Sequence, residues 1–179
     1  MCNRFSGKVA IVTGAASGIG QSTAVQFARE GARVTICDVN EKGLAETCKK
    51  VEEAGGICLV KKVNVRSQEE VEDCVNSTIE KFGTVDILVN NAGTGQFLPF
   101  AMIDNDEYDR VMDINVKGIF FFSRAVLPNM MDKDYGKIVN ITSIMGEVAG
   151  QGQSIYNASK GAAKMMTQGI AVDCSGYNI

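Results

Sequence analysis

Lys8-Val9-Ala10-Ile11-Val12-Thr13-Gly14-Ala15-Ala16-Ser17-Gly18-Ile19-Gly20 is the stretch that decides the fold. Its first six residues, rich in β-branched side chains and bounded by glycine, read as a short buried strand. Glycines then follow at Gly-x-x-x-Gly-x-Gly spacing, and a helical pattern with apolar residues at Ile19, Ala24, Phe27 and Ala28 continues from them. Glycine permits the tight turn and lets backbone approach a pyrophosphate, whose charge is met by amides at the helix N-terminus. This pattern predicts a dinucleotide site; for this stretch alone, a plain glycine turn is the competing reading.

Moving outward, Arg33-Val34-Thr35-Ile36-Cys37 reads as the next strand and ends at Asp38, eighteen residues after Gly20. An acidic residue there suits the two hydroxyls of an adenosine ribose and repels a 2′-phosphate. Ser17 stands where an arginine would point from the glycine turn, and Val39 and Asn40 supply no cation either. NAD(H) is therefore expected ahead of NADP(H).

The rest of the chain alternates in the same way. Leu44, Cys48 and Val51 mark a helix stopped by Gly55-Gly56, and 57–63 reads as a third strand. Val71, Val75, Ile79 and Phe82 mark an amphipathic helix ended at Gly83, and 85–89 a fourth strand leading into Asn90-Asn91-Ala92-Gly93. One long helix is expected next, with Val111, Ile114, Phe121, Phe122 and Ala125 on one side and Pro128 near its end. Residues 137–142 read as a fifth strand, and the segment carrying Tyr156 and Lys160 as a further helix. Such alternation predicts an α/β, doubly wound parallel sheet in three layers. Ligands then bind at the carboxyl ends of the strands, where Gly14, Asp38, Asn91 and Ser143 fall.

Tyr156 and Lys160 are four apart, so on a helix the ammonium lies beside the phenol. A free tyrosine, with a pKa of about 10, is a poor base at neutral pH. Lowering it by roughly three units corresponds to about 4 kcal/mol, more than one lysine supplies in water, so a second positive charge such as an oxidised nicotinamide would help. As a bare pair, the two residues read better as a solvated helix face, and it is the motifs around them that change the reading.

Thr13-Gly-x-x-x-Gly-x-Gly20, Asn90-Asn-Ala-Gly93, Asn115, Ser143 and Tyr156-x-x-x-Lys160, in this order, make the chain resemble the short-chain dehydrogenase/reductase (SDR) family over essentially its whole length. The resemblance implies a Rossmann-type fold in one NAD(P)-binding domain, 1–179, and an oxidoreductase passing hydride between nicotinamide and a secondary alcohol or ketone. It implies catalytic roles for Asn115, Ser143, Tyr156 and Lys160. Tyr156 moves the proton, Ser143 holds the substrate oxygen, Lys160 assists Tyr156 and holds the nicotinamide ribose, and Asn115 holds a water that relays protons. Cofactor contacts are implied at Gly14, Ser17, Gly18, Ile19, Gly20, Asp38, Asn64, Val65, Asn91, Ala92, Gly93, Tyr156 and Lys160. The family's helix pairing between subunits further implies a homo-oligomer, a tetramer at full length. An NADPH-dependent 3-oxoacyl-[carrier protein] reductase and a non-catalytic dinucleotide-binding fragment are the alternatives.

Two departures from the family stand out. Many members carry an aspartate after the third strand to bind the adenine amino group, where this chain has Asn64-Val65; an asparagine carbonyl accepts the same hydrogen bond. The family also runs on well past the position of Ile179, adding two strands and a substrate-covering loop. The sequence therefore reads as lacking the last strands and as truncated at the C-terminus, with 137–142 left as an apolar sheet edge.

Composition excludes other classes. With 45% hydrophobic residues in 179, one well-filled core is expected. A net charge of −3 without a basic run gives nucleic-acid binding no support. No apolar stretch is long enough to span a bilayer and Met1 to Ser6 do not resemble a signal peptide, so a cytosolic protein is expected. Six cysteines (2, 37, 48, 58, 74 and 174), no Cys-x-x-Cys and no histidine argue against metal and for reduced, packed thiols. Met165, Met166 and Phe120 to Phe122 read as packing residues. Thr94, Gly95, Gln96, Met145, Glu147, Gln151, Gln153 and Ser154 flank the site, and their hydrogen-bonding groups suit a polyol or small hydroxy compound as well as a solvent-facing loop.

Overall fold

The computed structural model describes residues 3–179, so Cys2 lies outside the described residues. Five parallel strands, β1 (Val9–Thr13), β2 (Arg33–Asp38), β3 (Ile57–Lys62), β4 (Ile87–Asn90) and β5 (Lys137–Asn140), form one sheet in the order β3-β2-β1-β4-β5. Residue pairs Val9–Arg33 and Ala10–Ile87 fix the register of β1 against its two neighbours. The chain winds outward from β1 to β3, then crosses back and winds outward through β4 and β5. The crevice between β1 and β4 is thus the topological switch point, where ligands bind in open α/β sheets.

Both faces of the sheet are covered. One core packs Ala10, Val12, Val34, Ile36 and Val89 against α1 (Gly18–Arg29) and α2 (Glu41–Glu53). The other packs Ile11, Leu88 and Val63 against α3 (Gln68–Phe82) and α5 (Gly118–Asp132). All five residues of β1 are buried, as a central parallel strand covered on both faces requires. α3 ends where expected: Gly83 adopts φ 85 and returns its amide to the Ile79 carbonyl. β3 and β5 are the sheet edges, and Val139 of β5 is half-exposed.

Three expectations are corrected. The single long helix is α4 (Asn105–Met112), a π-helical turn (Asp113–Lys117) and α5. That turn rotates the buried stripe onto Val111, Asn115, Ile119, Phe122, Val126 and Met130, leaving Ile114, Phe121 and Ala125 only partly buried. Ile19 does not join the core face of α1; it is 63% exposed at the rim of the cleft. Phe122 packs as expected, whereas Phe120 and Met165 are exposed. Of the described thiols, Cys37, Cys74 and Cys174 are buried, Cys48 and Cys58 half-buried, and all are free. Among the described residues, no helix is long and apolar enough to cross a membrane.

Candidate active site

The glycine turn is held against β4 rather than merely near it. Thr13 Oγ1 accepts from the amides of Asn91 (3.0 Å) and Ala92 (2.9 Å). Asn91 Nδ2 returns two bonds, to the carbonyls of Thr13 (3.0 Å) and Gly14 (3.1 Å). This stitch explains the glycines. A Cβ on Gly14, whose φ is +62, would lie 2.8 Å from Ala92 Cα, and one on Gly20 would lie 2.3 Å from the Gly14 carbonyl oxygen. Gly18, at φ +55, has open space instead. Ser17 precedes α1 without capping it through its side chain, so the first-turn amides of α1 are open to an anion.

Above this turn lies a cleft of about 480 Å³. Of the expected cofactor residues, Gly14, Ser17, Gly18, Ile19, Asp38, Asn64, Val65, Asn91, Ala92 and Gly93 all line it. Gly20 is buried beneath them. Val39, Val63, Thr94 and Ile114 complete the lining and were not expected. Asp38 is fixed at the far end: one carboxylate oxygen accepts from the Ala16 amide (3.1 Å), the other from the Asn40 amide (3.0 Å). The same Asn40 caps α2 through its own side chain, accepting from Gly43 N at 3.1 Å. Asn64 accepts from the Arg66 amide (3.1 Å), and Val65 sits against Gly118, where a Cβ would lie 2.9 Å from Val65 Cγ2.

At the other end stand Tyr156 and Lys160, both on α6 (Ser154–Asp173). Lys160 is buried, donates to the Ile141 carbonyl at 2.7 Å, and places Nζ 5.8 Å from the centre of the Tyr156 ring. Desolvation holds its pKa below the ordinary lysine value. A Cβ on Gly93 would lie 3.7 Å from Lys160 Nζ and 3.4 Å from Asn115 Oδ1, so the cleft runs directly up to this group. Ser143 follows β5, and its Oγ accepts from the Met145 amide at 3.1 Å, leaving its O–H free to donate. The turn it opens presses on α6: a Cβ on Gly146 would lie 2.9 Å from Lys160 C. Only glycine permits that approach, which fixes Ser143 relative to Tyr156 and Lys160.

Asn115 is in the π-helical turn, buried, with its amide largely committed. Oδ1 accepts from Thr94 N (2.8 Å), and Nδ2 donates to Thr94 O (2.9 Å) and Ser159 Oγ (2.9 Å). Ser159 in turn donates to the Tyr156 carbonyl at 2.7 Å. Three of four hydrogen-bonding positions of the Asn115 amide are thus filled by protein. Its side chain joins the loop after β4 to α6.

Several of the polar residues flanking the site are committed to protein partners. Gln96 is buried and bonded within the protein, Glu147 is paired with Lys164, and Arg110 donates to both Thr94 Oγ1 and the Gly95 carbonyl. These partners are distant in sequence, so the local pattern carried no sign of them. Arg110 itself was missed, although its place three residues after Glu107 is a recognisable helical ion pair.

Comparison with known proteins agrees with this architecture. The family model for short chain dehydrogenase matches residues 8–179. The chain is 36% identical to 3-oxoacyl-[acyl-carrier-protein] reductase FabG of Thermotoga maritima, covering 98% of this chain and 72% of the relative. It is 40% identical to 2-(R)-hydroxypropyl-CoM dehydrogenase of Xanthobacter autotrophicus, covering 96% of this chain and 70% of that one. Among solved structures, NAD+-bound xylitol dehydrogenase superposes with a TM-score of 0.95 at 38% identity, covering 98% of this chain and 68% of the other. Matched by the family model over residues 8–179 and similar in sequence and fold to these relatives, the chain belongs to the short-chain dehydrogenase family.

Proposed function

We propose that the chain binds NAD(H) in the 480 Å³ cleft and catalyses hydride transfer between nicotinamide and a secondary alcohol or its ketone, with Tyr156 as acid and base. The observation that carries this reading is the buried Lys160. Its ammonium is fixed on the Ile141 carbonyl, beside both the Tyr156 ring and the Gly93 end of the cleft. Burying a cation is unfavourable, and such a group is a candidate for function rather than for stability.

The residues present fit the cofactor. The positions of Gly14 and Gly20 exclude any side chain, and the uncapped first turn of α1 offers amides to a pyrophosphate. Asp38, with both oxygens oriented by backbone amides, keeps lone pairs for ribose hydroxyls and opposes a 2′-phosphate. When bound, the cofactor supplies the acceptor or donor of hydride. Tyr156 takes the alcohol proton during oxidation and returns it during reduction. Ser143 donates its O–H to the same substrate oxygen. Lys160 sets positive charge beside the ring as that proton moves, and would hold the nicotinamide ribose when the cofactor is bound. Asn115 ties the loop after β4 to α6 and so fixes the spacing of the parts.

One second reading is favoured by a specific relative: the 3-oxoacyl-[acyl-carrier-protein] reductase of Thermotoga maritima supports reduction of an acyl-carrier substrate, the alternative that the sequence reading pairs with NADPH. Asp38 opposes it. Titration of the full chain with NADH and NADPH, followed by nicotinamide fluorescence, separates the two. NADH binding at least about tenfold tighter than NADPH is expected, equivalent to about 1.4 kcal/mol. Equal or tighter binding of NADPH would overturn the cofactor assignment, and a Tyr156→Phe variant that still turns over would overturn the acid/base role.

A further inference from the structure

Gln96 is an unusual residue for an external loop. It is 2% exposed, and its amide makes three bonds: one within its own loop, one to the loop before α6 and one to α6 itself. Nε2 donates to the carbonyls of Leu98 (2.9 Å) and Gly152 (2.8 Å), and Oε1 accepts from the Ile155 amide (3.2 Å). The Leu98 amide bonds the same Gly152 carbonyl at 2.9 Å, so the loops after β4 and before α6 are joined at one point. The bond to Ile155 is the informative one. α6 begins at Ser154, and the residue preceding it, Gln153, makes no side-chain cap bond. A helix leaves its first amides without intrahelical partners, and an adjacent side chain ordinarily supplies the acceptor. Here the acceptor comes from 59 residues upstream, to the amide directly before Tyr156.

We propose that Gln96 is a positioning residue for Tyr156: it caps the catalytic helix from the opposite loop and holds that helix's first turn, with the loop 147–153, in register with Ser143. The proposal rests on Tyr156 being the acid/base. It also reassigns Gln96 from candidate substrate contact to internal brace, since its amide nitrogen and its oxygen are bonded to protein and its surface is withdrawn from solvent. Gln96 is not among the residues that line the cleft, so its removal acts through the first turn of α6 and the loops bonded to it at Leu98 and Gly152.

The test compares Gln96→Met, of similar length without hydrogen-bonding atoms, and Gln96→Asn, which keeps the groups but shortens their reach. In the full chain, Gln96→Met lowers kcat by roughly 10- to 100-fold, the scale of an ångström-size misplacement, with Gln96→Asn between it and the parent. KM for the alcohol and affinity for NADH stay within about threefold, because neither contact set is altered. The Ile155 amide exchanges with solvent at least about tenfold faster in Gln96→Met, while amides near Met165 are unchanged. The proposal is overturned if kcat in both variants stays within about twofold of the parent, if the loss lies wholly in KM, or if NADH binding falls with kcat. Unaltered Ile155 exchange in both variants overturns the cap itself. Failure of the underlying reading is a separate outcome: a Tyr156→Phe variant with undiminished turnover rejects Tyr156 as acid/base, whatever the Ile155 exchange reports.

Discussion

Gly20→Ala tests whether the glycine turn is a built cradle or an ordinary bend. The added Cβ would lie 2.3 Å from the Gly14 carbonyl oxygen and 2.6 Å from Asn91 Nδ2, about 1 Å inside ordinary contact. Neither neighbour can swing aside. Gly14 is at φ +62 with Ala92 against it, and Asn91 Nδ2 is bonded to two carbonyls of the turn. Accommodating the methyl costs about 1–3 kcal/mol of overpacking, and freeing the Asn91 amide forfeits two bonds of about 1 kcal/mol each. The better helix propensity of alanine offsets up to about 1 kcal/mol. A net destabilisation of roughly 2–4 kcal/mol follows, which for a chain of this size lowers Tm by about 5–15 °C. On the proposed function NADH affinity falls with it, by about tenfold or more, because the distorted amides are those assigned to the pyrophosphate. The control is Gly169→Ala in α6, which has open space around it and gains roughly 0.5–1 kcal/mol. Thermal melts with and without NADH decide the matter. A Gly20→Ala protein that melts with the parent and binds NADH unchanged would refute the steric reasoning.

Three further outcomes are expected. Asp38→Asn weakens NADH binding by roughly 10- to 100-fold, the worth of charge-assisted hydrogen bonds, and narrows the preference over NADPH; an unchanged NADH/NADPH ratio in fluorescence titration would count against the ribose assignment. Lys160→Met abolishes most turnover and changes a titration. The pKa of Lys160 is lowered by desolvation, so between its folded value and the unfolded value near 10.5 the unfolded chain binds more protons, and stability of the parent rises with pH. Relative to Lys160→Met, the parent therefore gains stability as pH climbs toward 10.5, and parallel denaturation curves across that window would contradict the burial argument. Gly146→Ala separates Ser143 from α6 and lowers kcat by about 10²-fold with little change in NADH affinity; stopped-flow hydride transfer at parental speed would show that the close approach is unimportant.

Much of this was legible because it is local. The buried run 9–13, the glycine spacing and the stop at Gly83 each carry their reason within a few residues. The π-helical turn at 113–117 did not announce itself, since an apolar pattern continues on either side of it. Its trace is the spacing of the buried stripe, 111, 115, 119, 122, 126 and 130, which averages more than the 3.6 residues of an α-helix once Asn115 is counted as part of it. Gln96 was illegible for a different reason. A helix cap is sought beside its helix, and this one arrives across 59 residues. Glu147 and Thr94 likewise looked available for substrate because Lys164 and Arg110 are their neighbours only in space.

The stitch between Thr13 and Asn91 spans 78 residues and joins the strands on either side of the switch point. Neither strand alone contains it, so a chain in which β1 and β4 are not yet paired lacks the proposed nucleotide cradle. Under the proposed function, occupancy therefore reports pairing of β1 with β4, and by mass action a hundredfold excess of nucleotide over its dissociation constant deepens the folded well by about 2.7 kcal/mol. The same four bonds hold the turn in shape with no ligand bound, so the proposed association avoids the entropy loss of ordering a loose loop. Under the proposed function the nucleotide is a folding ligand for a protein whose cradle is complete only when β1 and β4 are paired.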